Sequence, residues 1–527
     1  ANFSTSTGAR GIVLTAEINS LASTLVGTAL ADTISGGAGG DLLTGGAGGD
    51  SIVGNSGNDT ISGGIGADYL TGSDGSDNLA GDAGNDTLRG DQTDVIIDGG
   101  ADSDVLEISS SFITVNDAQL ANLETVNMTA AKLALNLSNQ TEGFTVNGYL
   151  LGASTIVGGL GSDSIVGGNG ADILAGGSGV DTILGGYGAD TLLGDQGDAI
   201  LDGGADNDVL QVSSAFLDVS DNQLRNIETV SLTATSVSLN LSKQTEGLVV
   251  NGFALGASTI VGGAGSDYIS GGTGADFLTG SGGADTIIGG AAADTVSGGE
   301  GDDLFLISLA TDLVQGDVIN GDGGTDELRF NATAASTLLL TSDVTVERVV
   351  IGTGMGASAV TTGAVAINVN AAASASALAM IGNAGANTLT GSAYNDSLDG
   401  GLGADTLIGG TGNDTLTGGF GADVFVFNQA PNTASNIDVY TDFTAVDDDI
   451  WLAKSALSGL GAVGVLDNDA FWASANGAAS DETDRILYDT VTGALYYDAD
   501  GTGAVDAVQI AKFDAGTTLT AGDFFVI

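Results

Sequence analysis

Apolar and polar positions along this chain recur with a period of nine. In Gly63-Gly64-Ile65-Gly66-Ala67-Asp68 the glycines and the acid come first, and Tyr69-Leu70-Thr71 follows as a short strand with Leu70 turned inward. The unit Gly-Gly-x-Gly-x-Asp returns in four blocks. The first sets Asp41, Asp50, Asp59, Asp68, Asp77 and Asp86 in register, and the second sets Asp163, Asp172, Asp181 and Asp190. The third holds Asp267, Asp276, Asp285, Asp294 and Asp303, and the fourth Asp396, Asp405, Asp414 and Asp423. A glycine-acid turn followed by a short strand, repeated at this interval, predicts a right-handed parallel β-roll in which two nonapeptides make one turn. Asp50 then stacks on Asp68, and Asp59 on Asp77.

A longer repeat overlies the short one. Asp94-Val-Ile-Ile-Asp98-Gly-Gly-Ala-Asp102-Ser-Asp104 returns as Asp198-Ala-Ile-Leu-Asp202-Gly-Gly-Ala-Asp206-Asn-Asp208, and Asn122-Leu-Glu124-Thr-Val126 as Asn226-Ile-Glu228-Thr-Val230. A diverged copy places Val346-Glu347-Arg348-Val349 in the same position. Each copy joins a nonapeptide block to an insert with period-two alternation, read as strands at 106–108, 124–128, 132–137 and 144–146. The predicted organisation is an apolar N-terminal cap (1–26), then blocks at 27–104, 158–208, 262–304 and 382–423. Inserts at 105–157, 209–261 and 305–381 alternate with them, and a β-rich C-terminal domain (424–527) holds Trp451 and Trp472. The whole is an all-β solenoid in which narrow rungs alternate with wider, metal-free rungs packed by Leu, Ile and Val. One helical turn or more is expected at 116–123, and a longer helical stretch at 452–460.

Composition narrows the chemistry. The chain has 527 residues, 88 glycines, one proline (Pro431) and a net charge of −57 from 67 acids against 10 bases. Charge of that size taken alone predicts disorder, but 42% of the residues are apolar and hold fixed offsets from the acids. The expectation is a chain that compacts once cations neutralise it. Nucleic acid is excluded as a partner, because the phosphate backbone would be repelled. With no cysteine and no histidine, disulfides, thiol chemistry, histidine-based triads and HExxH zinc helices are excluded. No apolar run long enough to span a membrane is present. The start, Ala1-Asn2-Phe3-Ser4-Thr5, lacks the basic and apolar regions of a cleavable signal.

The acids then point to calcium, a hard cation that takes six to eight oxygens. Glycines in the turn permit positive φ and aim carbonyls inward, while the aspartate adds a carboxylate. A column of unpaired carboxylates at rung spacing is destabilising, and metal between them resolves the repulsion, which links folding to binding. Candidate ligands are the block aspartates named above with Asp104 and Asp208. Candidate carbonyl donors are Gly46, Gly48, Gly64, Gly66, Gly159, Gly161, Gly168, Gly170, Gly263, Gly265, Gly401, Gly403, Gly410 and Gly412. Units at block edges are less regular: Asp32 lacks the glycines, the turn before Asp294 has lost one, and Asn387 replaces an aspartate. Asp498-Ala-Asp500-Gly501-Thr502-Gly503 is a separate candidate calcium loop, weighed evenly against a solvated acidic turn.

These nonapeptides resemble the RTX family of secreted, calcium-binding bacterial proteins. Gly421-Ala-Asp423-Val-Phe425-Val-Phe427 is similar to the end of such a roll, and Leu519-Thr-Ala-Gly-Asp523-Phe-Phe-Val-Ile527 to the family's C-terminal secretion region. The resemblance implies several bound Ca2+, export by type I secretion machinery and an extracellular place on the surface of a Gram-negative bacterium. Within the family, the Asn-Leu-Glu-Thr-Val inserts look most like those of S-layer proteins.

Function is a separate question from fold. The first expectation is a calcium-dependent structural protein that assembles with itself as an S-layer or filament. The apolar stretches 11–14 and 18–26 either cap the roll or pair with a neighbour. The alternative is an adhesin or biofilm-matrix protein holding cell-surface polysaccharide, whose mark would be an aromatic patch on the solenoid; Tyr69, Tyr187 and Tyr268 lie within repeats and are expected to pack or decorate edges. A carboxylate-only enzyme built on Glu124 and Glu228 is the third reading. It stands against a plain role for both as solvent-facing or Asn-capped rung residues, and the expectation is no enzyme.

Overall fold

A computed structural model describes residues 10–16, 21–354, 358–432 and 434–527. The described chain divides into two compact units, before and after Ala234. Both are parallel β-solenoids, as the nine-residue period requires.

In the first unit one twelve-stranded parallel sheet runs from Val13–Thr15 to Leu224–Arg225. Its rungs stack in strict register: Ile34 on Ile52, Ile52 on Leu70, and Leu70 on Leu88. A second sheet covers it with Leu25, Leu43, Ile61, Leu79 and Ile97 stacked in the same way. The middle residue of each short strand faces inward, and Ile34, Leu43, Ile52, Leu70, Leu88 and Ile97 are all completely buried. Each contributes about 1.5–3 kcal/mol on leaving water, so a small cross-section is held by a continuous apolar line.

The inserts are wider rungs of the same solenoid. Val105–Ile108 pairs with Thr125–Met128, which pairs with Thr145–Asn147, all parallel. These strands lie within two residues of the positions expected at 106–108, 124–128 and 144–146, and Ala134–Asn136 lies inside 132–137. Besides Leu, Ile and Val, a wider rung needs a larger filler, and Phe112, Phe144 and Phe216 supply it at 0–2% exposure.

No helix forms at 116–123. The Asn116 side chain accepts the Ala118 N–H and its carbonyl accepts the Gln119 N–H, closing a tight turn. Leu120–Ala121 then joins the sheet beneath Ile97–Asp98. At 452–460 the expectation also fails, because Leu452 is the last residue of a strand paired with Phe427 and Val526. A single turn follows, in which Ala453 accepts from Ala456 and Leu457. The regular helices among the described residues are two short 3-10 turns, Asn468–Ala470 and Ala521–Asp523.

In the second unit the rungs continue through Val424–Phe427, Asp438–Tyr440 and Asp449–Leu452, and the chain then turns back on itself. Ile486–Asp489, Ala494–Tyr497 and Val508–Phe513 form an antiparallel meander. Its last strand lies parallel to Asp438–Tyr440, while Phe524–Val526 covers Asp449–Leu452. Phe425, Tyr440, Phe443, Tyr488 and Phe513 form one aromatic cluster there, with centroids 4.8–6.0 Å apart. Val508–Phe513 and Phe524–Val526 thus pair the strand edges that Asp438–Tyr440 and Asp449–Leu452 would otherwise leave open.

At the N-terminus Val13–Thr15 pairs with Thr33–Ser35, and Thr24–Val26 with the start of Leu42–Ala47. The stretch 11–14 thus belongs to the first rung of its own roll. Residues 1–9 and 17–20, part of the expected cap, lie outside the described residues.

Candidate metal columns

The aspartates of each block form two columns, held by one repeated contact. The backbone N–H of each aspartate donates to Oδ1 of the aspartate one turn later: Asp32 to Asp50, Asp41 to Asp59, Asp50 to Asp68, Asp59 to Asp77 and Asp68 to Asp86, at 2.7–2.8 Å. The same contact joins Asp163 to Asp181, Asp172 to Asp190, Asp267 to Asp285, Asp396 to Asp414 and Asp405 to Asp423. The aspartates are 0–4% exposed. The sequence-derived stacking of Asp50 on Asp68 and Asp59 on Asp77 is realised atom by atom.

The second carboxylate oxygen separates two classes. In Asp50, Asp59, Asp68, Asp77, Asp86, Asp104, Asp172, Asp181, Asp190, Asp208, Asp276, Asp285, Asp303, Asp326, Asp405, Asp414 and Asp423, Oδ2 is buried and has no hydrogen-bond donor. In four others, Oδ2 accepts the N–H four residues earlier. Gly37 donates to Asp41, Gly159 to Asp163, Gly263 to Asp267 and Ser392 to Asp396, at 2.6–2.7 Å.

Backbone conformation at that fourth residue decides the class. Gly46, Gly64, Gly100, Gly168, Gly186 and Gly204 have φ of +104° to +116°, and the aspartate four residues after each has an unpartnered Oδ2. Gly37, Gly159, Gly263 and Ser392 are not in the positive-φ region, so their N–H reaches the carboxylate. Five interior turns hold this conformation without glycine: Asn55, Ser73, Asp82, Ser281 and Asp322 have φ of +68° to +86°. A left-handed residue other than glycine is strained, and the strain here falls where the donor is turned away from the carboxylate.

The first glycine of the unit is required for a different reason. A Cβ on Gly45, Gly54 or Gly63 would come within 3.0 Å of both the Oδ2 of its own aspartate and the carbonyl oxygen of the first glycine one turn later. Two acceptors thus converge over each of these glycines. Metal-free, the arrangement is unfavourable. Burial pushes the carboxyls of Asp50, Asp59, Asp172 and Asp303 up to about 6, and those of Asp86, Asp190, Asp285 and Asp405 up to about 7. A donor set of buried carboxylate and carbonyl oxygens, without nitrogen or sulfur, fits Ca2+. Among the described residues no three acids converge on one point, so carbonyl oxygens must complete the shell. The second-glycine carbonyls of Gly159, Gly263 and Gly401 each accept one ladder N–H, which leaves a second lone pair.

Other candidates fall elsewhere. Asn387 occupies its column position with Oδ1 bonded to the Asn383 N–H and Nδ2 to the Ile367 carbonyl, a neutral rung. Asp294 keeps its column contact with Asp276. Asp498 accepts the N–H groups of Asp500 and Gly501, and Asp500 those of Ala504 and Val505. Those contacts are the work of an acidic turn.

Sequence reasoning missed Asp326, whose preceding turn reads Gly321-Asp322-Gly323-Gly324-Thr325 and whose Oδ2 is unpartnered. It also missed the residues that end the columns. Asp94, Asp198 and Asp317 satisfy Oδ2 with a local N–H. Glu124 and Glu228, solvent-facing as weighed, nevertheless accept the N–H of Asp104 and Asp208, each at 2.7 Å.

The family model of the RTX calcium-binding nonapeptide repeat (4 copies) matches residues 26–61, 44–79, 53–88 and 80–107, then 151–183 and 176–210. It matches again at 255–287 and 270–305, and at 381–416 and 399–430. These are the stretches that hold the aspartate columns. No curated protein matches the chain.

Proposed function

We propose, from the premise that this chain is an RTX calcium-binding nonapeptide-repeat protein, that it is a secreted structural protein whose calcium-loaded solenoid assembles with copies of itself at a bacterial surface. The carrying observation is a set of exposed apolar residues that return with the long repeat. Ile113 is 53% exposed and its counterpart Leu217 41%, while Leu151 is 73% exposed and Leu255 82%. Large apolar side chains held in water at corresponding places of successive copies favour a periodic contact. A chain of net charge −57 needs divalent cations before two such faces approach. Among the described residues no helix is long and apolar enough to cross a membrane. Type I export and a Gram-negative host belong to the same proposal.

Electron microscopy and light scattering of the purified chain in millimolar calcium test it, with Leu151→Ser/Leu255→Ser as the control. Ordered assemblies that the double substitution abolishes support the reading. A wild-type chain that stays monomeric at high concentration in calcium overturns it. One observation favours an adhesin: Tyr187 is 67% exposed on the roll, a surface on which a sugar ring can stack. Glycan binding without assembly selects that alternative. Tyr69, by contrast, lies under the Arg89 guanidinium, 5.4 Å from the ring centroid.

A further inference from the structure

In an interior turn three features meet: the unpartnered Oδ2 of one aspartate, the first-glycine carbonyl of the next turn, and the carboxylate that accepts the aspartate N–H. For Asp50 these are its own Oδ2, the Gly63 carbonyl and the Asp68 carboxylate. All three recur at the end of the first block without the nonapeptide. Asp104 is 1% exposed and its Oδ2 has no donor. A Cβ on Gly99 would come within 3.0 Å of that oxygen and of the Asn122 carbonyl oxygen. The Asp104 N–H donates to Glu124 Oε2 at 2.7 Å. Asn122 is left-handed at φ +50°, and its Nδ2 is tied to Asp98 Oδ1 at 2.7 Å.

The second block ends identically. Asp208 is fully buried with Oδ2 unpartnered, and a Cβ on Gly203 would meet that oxygen and the Asn226 carbonyl oxygen. The Asp208 N–H donates to Glu228 Oε2 at 2.7 Å, and Asn226, at φ +47°, is tied to Asp202 Oδ1 at 2.7 Å. A three-residue Asn-x-Glu segment thus does the work of the six-residue Gly-Gly-x-Gly-x-Asp turn. The asparagine carbonyl takes the place of the first-glycine carbonyl, and the extra methylene of glutamate makes up the shorter path. The repeat matches end at residues 107 and 210, before either segment.

We propose that Asn122–Glu124 and Asn226–Glu228 each complete a terminal calcium site, with Asp104 and Asp208 as the buried carboxylate ligands, the asparagine carbonyls as neutral ligands and the glutamates as closing carboxylates. The inserts therefore end the calcium columns rather than interrupting them. The other column of each block ends without metal, because the Oδ2 of its last aspartate is satisfied locally: Asp94 Oδ2 accepts from Asp91 and Asp198 Oδ2 from Asp195. At the third insert Asp326 likewise has an unpartnered Oδ2, and its N–H donates to Glu347 Oε2 at 2.9 Å.

The test is calcium stoichiometry of the full chain, by equilibrium dialysis and by native mass spectrometry, for wild type and for Glu124→Gln/Glu228→Gln. Glutamine keeps the acceptor for the aspartate N–H and removes the charge. One calcium fewer for each glutamate replaced, with β-sheet circular dichroism retained, is the expected result. An unchanged stoichiometry overturns the proposal. If the double variant loses its β-sheet signal, Glu124→Asp/Glu228→Asp is used. It keeps the charge and shortens the reach, and the last calcium ions to load should then require higher calcium; an unaltered titration overturns the proposal equally. A wild-type chain that binds no calcium overturns the columns themselves, a failure distinct from loss of the closures. The calcium count does not depend on self-assembly.

Discussion

Replacing one interior aspartate, Asp59→Asn, separates the two roles of the columns. Asp59 is fully buried, its Oδ1 accepts the Asp41 N–H at 2.7 Å, and its Oδ2 has no donor. Asparagine keeps the Oδ1 contact and removes the charge. Burial holds the Asp59 carboxyl up at about 6, against an unfolded value of 3.8. Because the folded value is the higher one, its stabilising contribution is complete below pH 4 and is lost as pH rises through 6. A shift of roughly two units corresponds to about 3 kcal/mol, discounted to about 1–2 kcal/mol for screening by solvent at the column edge. Without calcium at pH 7.5, Asp59→Asn should therefore stabilise the fold by about 1–2 kcal/mol. With calcium the sign reverses, since a ligand has been lost. The assay is folding followed by circular dichroism: the pH midpoint of refolding in chelator, and urea unfolding in millimolar calcium. In chelator the variant should refold at a higher pH than wild type. A variant less stable than wild type in both media would show that the cost of a buried carboxylate charge is not what calcium relieves.

Protons should compete with calcium, because Asp86, Asp190, Asp285 and Asp405 are held up at about 7. The calcium midpoint for folding should therefore fall as pH rises from 5.5 to 8, and a pH-independent titration would contradict this. Gly63→Ala should lower the calcium stoichiometry, since the new Cβ meets Asp68 Oδ2 and the Gly81 carbonyl oxygen; an unchanged count would remove these oxygens from the site. Glu327→Gln should cost about 3–5 kcal/mol in urea unfolding. Arg329, 1% exposed, loses its 2.6 Å ion pair and Arg348 its 3.1 Å partner, whereas a loss below 1 kcal/mol would place that pair in effective contact with water.

The columns were legible because a strict period carries its own register: once Asp50 and Asp68 stack, every other rung follows. The inserts were legible as wider rungs for the same reason, since Val126 and Val146 keep the alternation that places them under Leu106. What separates an unpartnered carboxylate from a satisfied one was hidden, because it is a dihedral angle. Gly37 and Gly46 are the same residue in the same motif, yet only Gly46 has positive φ, and Asn55, Ser73 and Asp82 take that conformation without the glycine that would announce it. Glu124 was hidden because its partner, the Asp104 N–H, lies across a rung of altered length. The turn at 116–123 was misread because a polar-apolar pattern of eight residues does not reveal that the Asn116 side chain binds its own backbone.

The central claim is that calcium makes this solenoid stable at neutral pH. The direct measurement is a calcium titration of chelator-treated protein at pH 7.5, following β-sheet circular dichroism and bound calcium together. The account predicts little ordered β-structure at the start, then a cooperative gain in step with the binding of many calcium ions per chain. Full β-structure in chelator, unchanged as calcium is added, would contradict it.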